Sequence, residues 1–168
     1  YEIRNCDWSS DVCSSDLGLD GLARNYHRYL RNRQSHPKKS RPLTLNLWEA
    51  IYFNHDEAKI NTLIDFAAET GIERVVLDDG WFGSRRSDRS GLGDWTVSTQ
   101  VWPHGLKGIA DRIHAKGMEF GLWFEGEMVN PDSDLYRNHP EWILSEGSRI
   151  PPLWRNELVL DLTNQSAF

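Results

Sequence analysis

With 168 residues, 39% hydrophobic and 26% charged, the chain is sized for one ordinary folded domain and does not have the composition of a disordered segment. A net charge of -6 argues against nucleic acid or an anionic membrane as partner, and no apolar run approaches the roughly 20 residues of a membrane helix. Eight Trp outnumber both the six Phe and the five Tyr, a bias that serves core packing or stacking on the apolar faces of ring-shaped ligands.

In chain order, residues 1–17 come first and hold both cysteines, Cys6 and Cys13, in CDWSSDVCSSDL. Their spacing is neither C-x-x-C nor a zinc pattern, and no His stands near them. Back-translation reproduces the end of a widely used DNA-sequencing adapter, and Tyr1-Glu2-Ile3 matches its flow-cell primer. Residues 1–17 therefore read as a translated adapter joined to a genuine frame, and they stay out of the fold reasoning. The cysteines then carry no information about redox compartment.

From Gly18 the pattern becomes protein-like. Leu19, Leu22, Ala23, Tyr26 and Leu30 stand at helical spacing, and the basic stretch Arg31 to Pro42 reads as a linker, so residues 18–42 form a connection between domains. LTLNLW, 43–48, predicts a short strand. Asp56 to Thr70 predicts a helix with Ile60, Leu63, Ile64, Ala67 and Ala68 on one side and Gly71 as its stop. RVVLDD, 74–79, predicts a buried strand ending in two acids. Leu106 to Lys116 predicts a second helix stopped by Gly117, and EFGLWFE, 119–125, a third strand. LVLDL, 158–162, reads as a fourth or an accessory strand.

Strand, helix, strand, helix, strand implies parallel pairing with right-handed crossovers and a sheet covered on both faces. An open doubly wound sheet and a (β/α)8 barrel both meet that pattern. No Gly-rich phosphate loop follows a strand, which disfavours nucleotide binding. Each strand instead ends in carboxylates and indoles: Trp48-Glu49, Asp78-Asp79-Gly80-Trp81 and Trp123-Phe124-Glu125-Gly126-Glu127. In a barrel those ends form the active-site face. The fold class is thus α/β, the N-terminal part of a (β/α)8 TIM barrel with about three to four βα units over residues 43–168.

Asp78 and Asp79 are adjacent, so they share a face only if the chain turns, and Gly80 permits a turn. The pair suits metal binding, acid and base roles, or acceptance of hydrogen bonds from vicinal hydroxyls. His104 and His114 have no ligand spacing to them, so no metal is assigned. Glu125 and Glu127 stand two apart on one strand. The two carboxyls of a retaining glycosidase stand about 5 Å apart across the scissile bond, a poor fit to that spacing. At least one of these glutamates belongs to a hydrogen-bond network under the site.

The stretches LNLWEAIYF, VLDDGWFGSR, LGDW, WPHGLKGIADRIHAKGMEFGLWFEGEMVNPDSDLYRNHPEW and RNELVLDL together resemble the α-galactosidases of glycoside hydrolase family 36, over Gly18 to about Asn164. The resemblance implies a (β/α)8 barrel behind an N-terminal β-sandwich. It also implies cofactor-free, retaining removal of terminal α-galactose from melibiose, raffinose and related oligosaccharides. A tetramer and a cytoplasmic location are implied as well. The substrate-binding residues it implies are Trp48, Asp78, Asp79, Trp123 and Arg155. The nucleophilic aspartate lies in a K-W-D-type motif on a following strand, and the acid/base aspartate comes later. Neither occurs before Phe168, so no catalytic residue is assigned and the isolated chain is expected to be inactive. One departure stands out: the family usually has F-E-P-E-M where this chain has Gly126 in place of proline. Two alternatives share these motifs, a galactosyltransferase barrel of the raffinose or stachyose synthase kind and a non-catalytic sugar-binding module.

Overall fold

The computed structural model describes residues 18–145 and 154–167. Residues 1–17, read above as an adapter, lie outside the described residues. The chain divides into two compact units between Arg41 and Pro42. The first contains helix α1, Gly18–Asn32, with Asp20 in its first turn and Arg31 in its last, each suited to the helix dipole.

The second unit is built on three parallel strands, β1 (Thr44–Asn46), β2 (Arg74–Leu77) and β3 (Glu119–Leu122), in the order β1-β2-β3. Register pairs Asn46 with Val76, and Val76 with Gly121. Between β1 and β2 run a short helix α2 (Trp48–Ile51) and the crossover helix α3 (Glu57–Glu69). Between β2 and β3 runs α4 (Lys107–Ala115). Asp56 caps α3 by accepting from the Lys59 amide, and Gly71 leaves it at φ +80°.

The crossovers bury one face of the sheet. Ile60, Ile64 and Ala67 of α3 and Ile109 and Ile113 of α4 join Val75 and Leu77 in one core, with Leu47, Trp81, Phe82, Leu92 and Trp102. Burial of this kind contributes about 1.5–3 kcal/mol per large side chain. Asp65 of α3 ties the two helices at the surface through Arg112 and Lys116, at 2.9 and 2.8 Å.

One expectation needs correction. The first predicted strand stops at Asn46, and Trp48 opens α2 instead. Val76, on the face away from the helices, is half-buried in this segment. A barrel fills that face with residues from its other strands, and three strands alone do not. Leu158–Val159 forms β5, which pairs antiparallel with β4 (Met128–Val129), so of the two readings of LVLDL the structure has the accessory strand. Among the described residues the number of parallel strands is therefore three. The ribbon has its own small core of Val129, Ile143, Leu158 and Leu160. A fifth helix, α5 (Asp134–Asn138), is capped by Ser133 and by Asp94, whose carboxylate accepts from the Asp134 and Leu135 amides.

Among the described residues no helix is long and apolar enough to cross a membrane.

Candidate functional site

The C-terminal ends of the three strands open into connections of very unequal length. The connection from Asp78 to Leu106 is far longer than the 12–15 residues beyond which a structureless loop usually carries function. It lies at the end of the sheet where parallel α/β folds bind their ligands.

Register places two of the predicted residues at one level: two residues beyond the paired Val76 and Gly121 stand Asp78 and Trp123. The backbone ladder reaches Trp123, whose amide donates to the Leu77 carbonyl, and on the other side ends at Leu47, whose amide donates to the Val76 carbonyl, each at 3.0 Å; Trp48 has already left it for α2.

Asp78 is buried, and its carboxylate is oriented from two sides. Asn46 Nδ2 donates to Oδ2 at 2.5 Å, and the Asp79 amide donates to Oδ1 at 2.8 Å. Asn46 is itself fixed, because its Oδ1 accepts from the Trp48 amide at 2.8 Å. One asparagine thus links the end of β1 to the acid at the end of β2.

Asp79 has separate partners, as alternation along the strand requires. Its two oxygens accept from Arg85 Nε at 3.0 and 3.1 Å, and Oδ2 accepts from Arg85 Nη2 at 2.9 Å. The Arg85 side chain is fully buried. The chain turns directly after this acid: Gly80 has φ +94°, and a Cβ there would stand 2.9 Å from Phe53 Cδ1 and 3.3 Å from His55 Nε2. Only glycine suits both the dihedral and the space. His55 Nε2 donates to the Asp79 carbonyl at 2.9 Å, and burial above all lowers the pKa of this imidazole, favouring its neutral form.

Arg85 and Asp79 begin a row of alternating charges. Arg85 Nη2 lies 3.7 Å from Glu157 Oε1, Glu157 Oε1 lies 3.2 Å from Arg155 Nη2, and Arg155 Nη2 lies 3.6 Å from Glu125 Oε1. Two of the sequence-predicted residues, Asp79 and Arg155, are therefore joined through two that sequence reasoning missed, Arg85 and Glu157. The missed pair left little signal: Arg85 sits in SRRSDRS, which reads as a solvated loop, and Glu157 is a lone acid before an apolar run. Glu125 ends this row by a charge contact and not by the hydrogen bond expected of one of its acidic pair, whereas Glu127 is exposed. Burial first, then the Glu157 charge, raises the Glu125 pKa from its ordinary value, and Arg155 opposes that rise.

Arg155 and Asn156 both have positive φ, 51° and 60°, between Trp154 and Glu157, whose amide donates back to the Trp154 carbonyl at 2.9 Å. Two such residues in sequence are what a type I′ hairpin turn demands. The turn aims Arg155 at the two glutamates, and with Arg89, Trp154 and Asn156 it lines an open cleft of about 330 Å³.

Aromatic rings form one wall of the site. Trp123 stacks over Phe82 at 6.4 Å and meets Trp95 edge-on at 6.2 Å. Trp81 contacts Phe82, Trp95 and Phe124, and its indole N–H donates to the Trp123 carbonyl at 2.9 Å. Trp48 stands apart, packed edge-on against Tyr52 and Phe53 at 5.2 and 5.1 Å. Among the described residues no three His, Cys, Asp or Glu gather as a metal would need. The arrangement is two oriented carboxylates and a half-buried arginine beside an indole wall. It can accept and donate hydrogen bonds to a polyhydroxylated ligand while covering its apolar face.

The Melibiase family model matches residues 9–168. The match reaches back into the stretch that reads as an adapter. An α-galactosidase of Escherichia coli is 46% identical over 159 residues, covering 94% of this chain and 22% of that protein. The α-galactosidase AgaA of Geobacillus stearothermophilus is 47% identical over 154 residues, covering 90% of this chain and 21% of that protein. A crystal structure of a variant GH36 α-galactosidase AgaA in complex with raffinose superposes with a TM-score of 0.81 at 46% identity, covering 91% of this chain and 22% of that one. The chain thus spans about a fifth of the length of these relatives.

Proposed function

Because the chain belongs to the Melibiase family, we propose that it is part of the catalytic barrel of a retaining α-galactosidase that releases terminal α-galactose from melibiose- and raffinose-type oligosaccharides. The parallel sheet and its crossovers are a segment of that barrel. In this reading Asp78 and Asp79 accept hydrogen bonds from galactose hydroxyls, Trp48 and Trp123 shed water from the ring, and Arg155 donates to a hydroxyl. The full-length protein works as a homo-oligomer. The chemical step falls to two aspartates that the resemblance assigns to later strands, so the segment's task is recognition. Its location in the cytoplasm is proposed on the resemblance alone.

The observation that carries this reading is the Asp78 carboxylate, buried and fixed by Asn46 and the Asp79 amide at the level of Trp123. A buried acceptor facing a hydroxyl penalises the sugar epimer that leaves it unpaired. Relatives support the substrate class: solved GH36 α-galactosidases carry raffinose and stachyose in their complexes.

The test is kcat/KM on melibiose in the full-length protein, with folding checked by circular dichroism. Asp78→Asn removes charge and sets an amide donor against existing donors, so it should lower kcat/KM by about 30- to 1000-fold, or roughly 2–4 kcal/mol. Trp123→Ala should raise KM. Glu141→Gln, on an exposed position in the single turn Pro140–Trp142, should leave the rate unchanged. A folded Asp78→Asn enzyme as fast as the parent defeats the assignment.

A further inference from the structure

We propose that Arg85 is a positioning residue for sugar recognition, holding the Asp79 carboxylate in the one orientation from which it reads the ligand. The inference rests on the recognition role proposed for Asp79.

The geometry is that of a clamp held on three sides. Arg85 Nε and Nη2 grip Asp79 at 2.9–3.1 Å. Nη1 donates to Asn130 Oδ1 at 3.1 Å and to the Ser90 carbonyl at 3.2 Å. Nη2 also faces Glu157 Oε1 at 3.7 Å. Asn130 and Glu157 flank the β4–β5 ribbon, Asn130 directly after β4 and Glu157 directly before β5. Asn130 is locked in turn, since its Oδ1 accepts from the Leu92 amide at 2.9 Å and its Nδ2 donates to the Asn156 carbonyl at 2.7 Å. The loop also closes tightly over Arg85: a Cβ on Gly91 would stand 2.7 Å from the Arg85 amide nitrogen.

A planar guanidinium gripping a carboxylate edge fixes the plane of that carboxylate as well as its charge. A carboxylate offers about four lone pairs. The fork engages those on one edge, so only the other edge is left for hydroxyls. A lysine keeps the charge and loses the fork. A methionine loses both and leaves a buried, unpaired acid. A bland structural brace between loops would have the same contacts but no effect on which sugar is preferred.

The experiment uses the full-length protein and free galactose and glucose as competitive inhibitors of melibiose hydrolysis. The variants are Arg85→Lys, Arg85→Met, Asp79→Asn and the double variant Arg85→Met with Asp79→Asn. Folding is followed by circular dichroism. The parent should favour galactose over glucose. Arg85→Met should raise KM and the galactose inhibition constant about 100-fold, the scale of a misplacement near 1 Å, and should narrow the galactose-to-glucose preference. Arg85→Lys should recover part of it. The double variant should lose little beyond Asp79→Asn, because the arginine acts through that acid.

Folded Arg85 variants that discriminate as the parent does overturn the clamp, as does a double variant whose losses simply add. Should Arg85→Met fail to fold, Arg85→Lys decides on the same ratio. A parent that neither hydrolyses melibiose nor is inhibited by galactose overturns the recognition reading, and the clamp with it.

Discussion

Three glycines separate backbone strain from steric crowding, and Gly80 carries both. At φ +94° a residue with a Cβ is strained by roughly 1–2 kcal/mol. The Cβ would also meet Phe53 Cδ1 at 2.9 Å and His55 Nε2 at 3.3 Å. Neither ring is free to give: Phe53 packs edge-on against Trp48, and His55 donates to the Asp79 carbonyl and lies 5.7 Å from the Trp102 ring. Overpacking of that kind costs about 1–3 kcal/mol more. Gly80→Ala should therefore destabilise the full-length protein by about 2–5 kcal/mol. It should also lower kcat/KM, because the residue it displaces first is Asp79. Gly105 has φ +72° with nothing within 4 Å, so Gly105→Ala should cost only the strain, about 1–2 kcal/mol. Gly108, inside α4 with open space around it and no positive φ, should gain about 0.5 kcal/mol as alanine. Urea titration followed by tryptophan fluorescence reads the order. A Gly80→Ala protein no less stable than Gly105→Ala would refute the packing argument at the site.

Glu125 should make stability fall with rising pH. Its folded pKa is raised, so between the ordinary glutamate value of 4.5 and the folded value the native state holds a proton that the unfolded state has released. Parent stability relative to Glu125→Gln should decline as pH rises through that window and be flat below it; a difference that grows with pH would reverse the assignment. Gly126→Pro should stabilise by about 0.4–1 kcal/mol through the unfolded chain. The Gly126 amide makes no hydrogen bond among the described residues, and nothing stands within 4 Å of its would-be Cβ. A lower urea midpoint would show that its backbone does not suit proline. Amplification of source DNA across the Gly18 codon should yield unrelated sequence upstream, and a genomic read encoding CDWSSDVCSSDL would sink the adapter reading.

The legible parts of the fold were those where one physical signal dominated. Helices α3 and α4 follow from apolar spacing bounded by Asp56 and by Gly71 and Gly117, because burial and capping act on the same residues. Strand ends were less legible. Trp48 looks like a strand residue by alternation, yet Asn46 Oδ1 accepts from its amide and so turns the chain into α2. A side chain that competes with the ladder for a backbone donor leaves no trace in a hydrophobic pattern. Antiparallel pairing of LVLDL was equally hidden, since two paired residues in each strand of a ribbon set no period.

The candidate site divides along the same line. Asp78, Asp79 and Trp123 were legible because they follow apolar strands, where carboxylates and an indole break the pattern. Arg85 and Asn130 were not, although they decide how Asp79 is presented. A charged residue in a polar loop is usually solvated, and only long-range contact distinguishes the buried one. Arg85 reaches Asp79 six positions away and Asn130 forty-five away, within one buried group. Its cost of desolvation is offset only if every donor finds an acceptor at once. That requirement couples the loop after β2 to the β4–β5 ribbon. Breaking the ribbon at a distance should therefore disturb the acid. Asn130→Ala removes the acceptor of the Leu92 amide and one of the two acceptors of Arg85 Nη1, which keeps the Ser90 carbonyl. It should cost about 1–3 kcal/mol in stability, from the buried Leu92 amide left bare and the weakened hold on Arg85. It should also weaken galactose inhibition, although Asn130 is not among the residues assigned to the sugar. A folded Asn130→Ala protein with the parent's galactose inhibition constant would show that the ribbon and the acid are energetically separate.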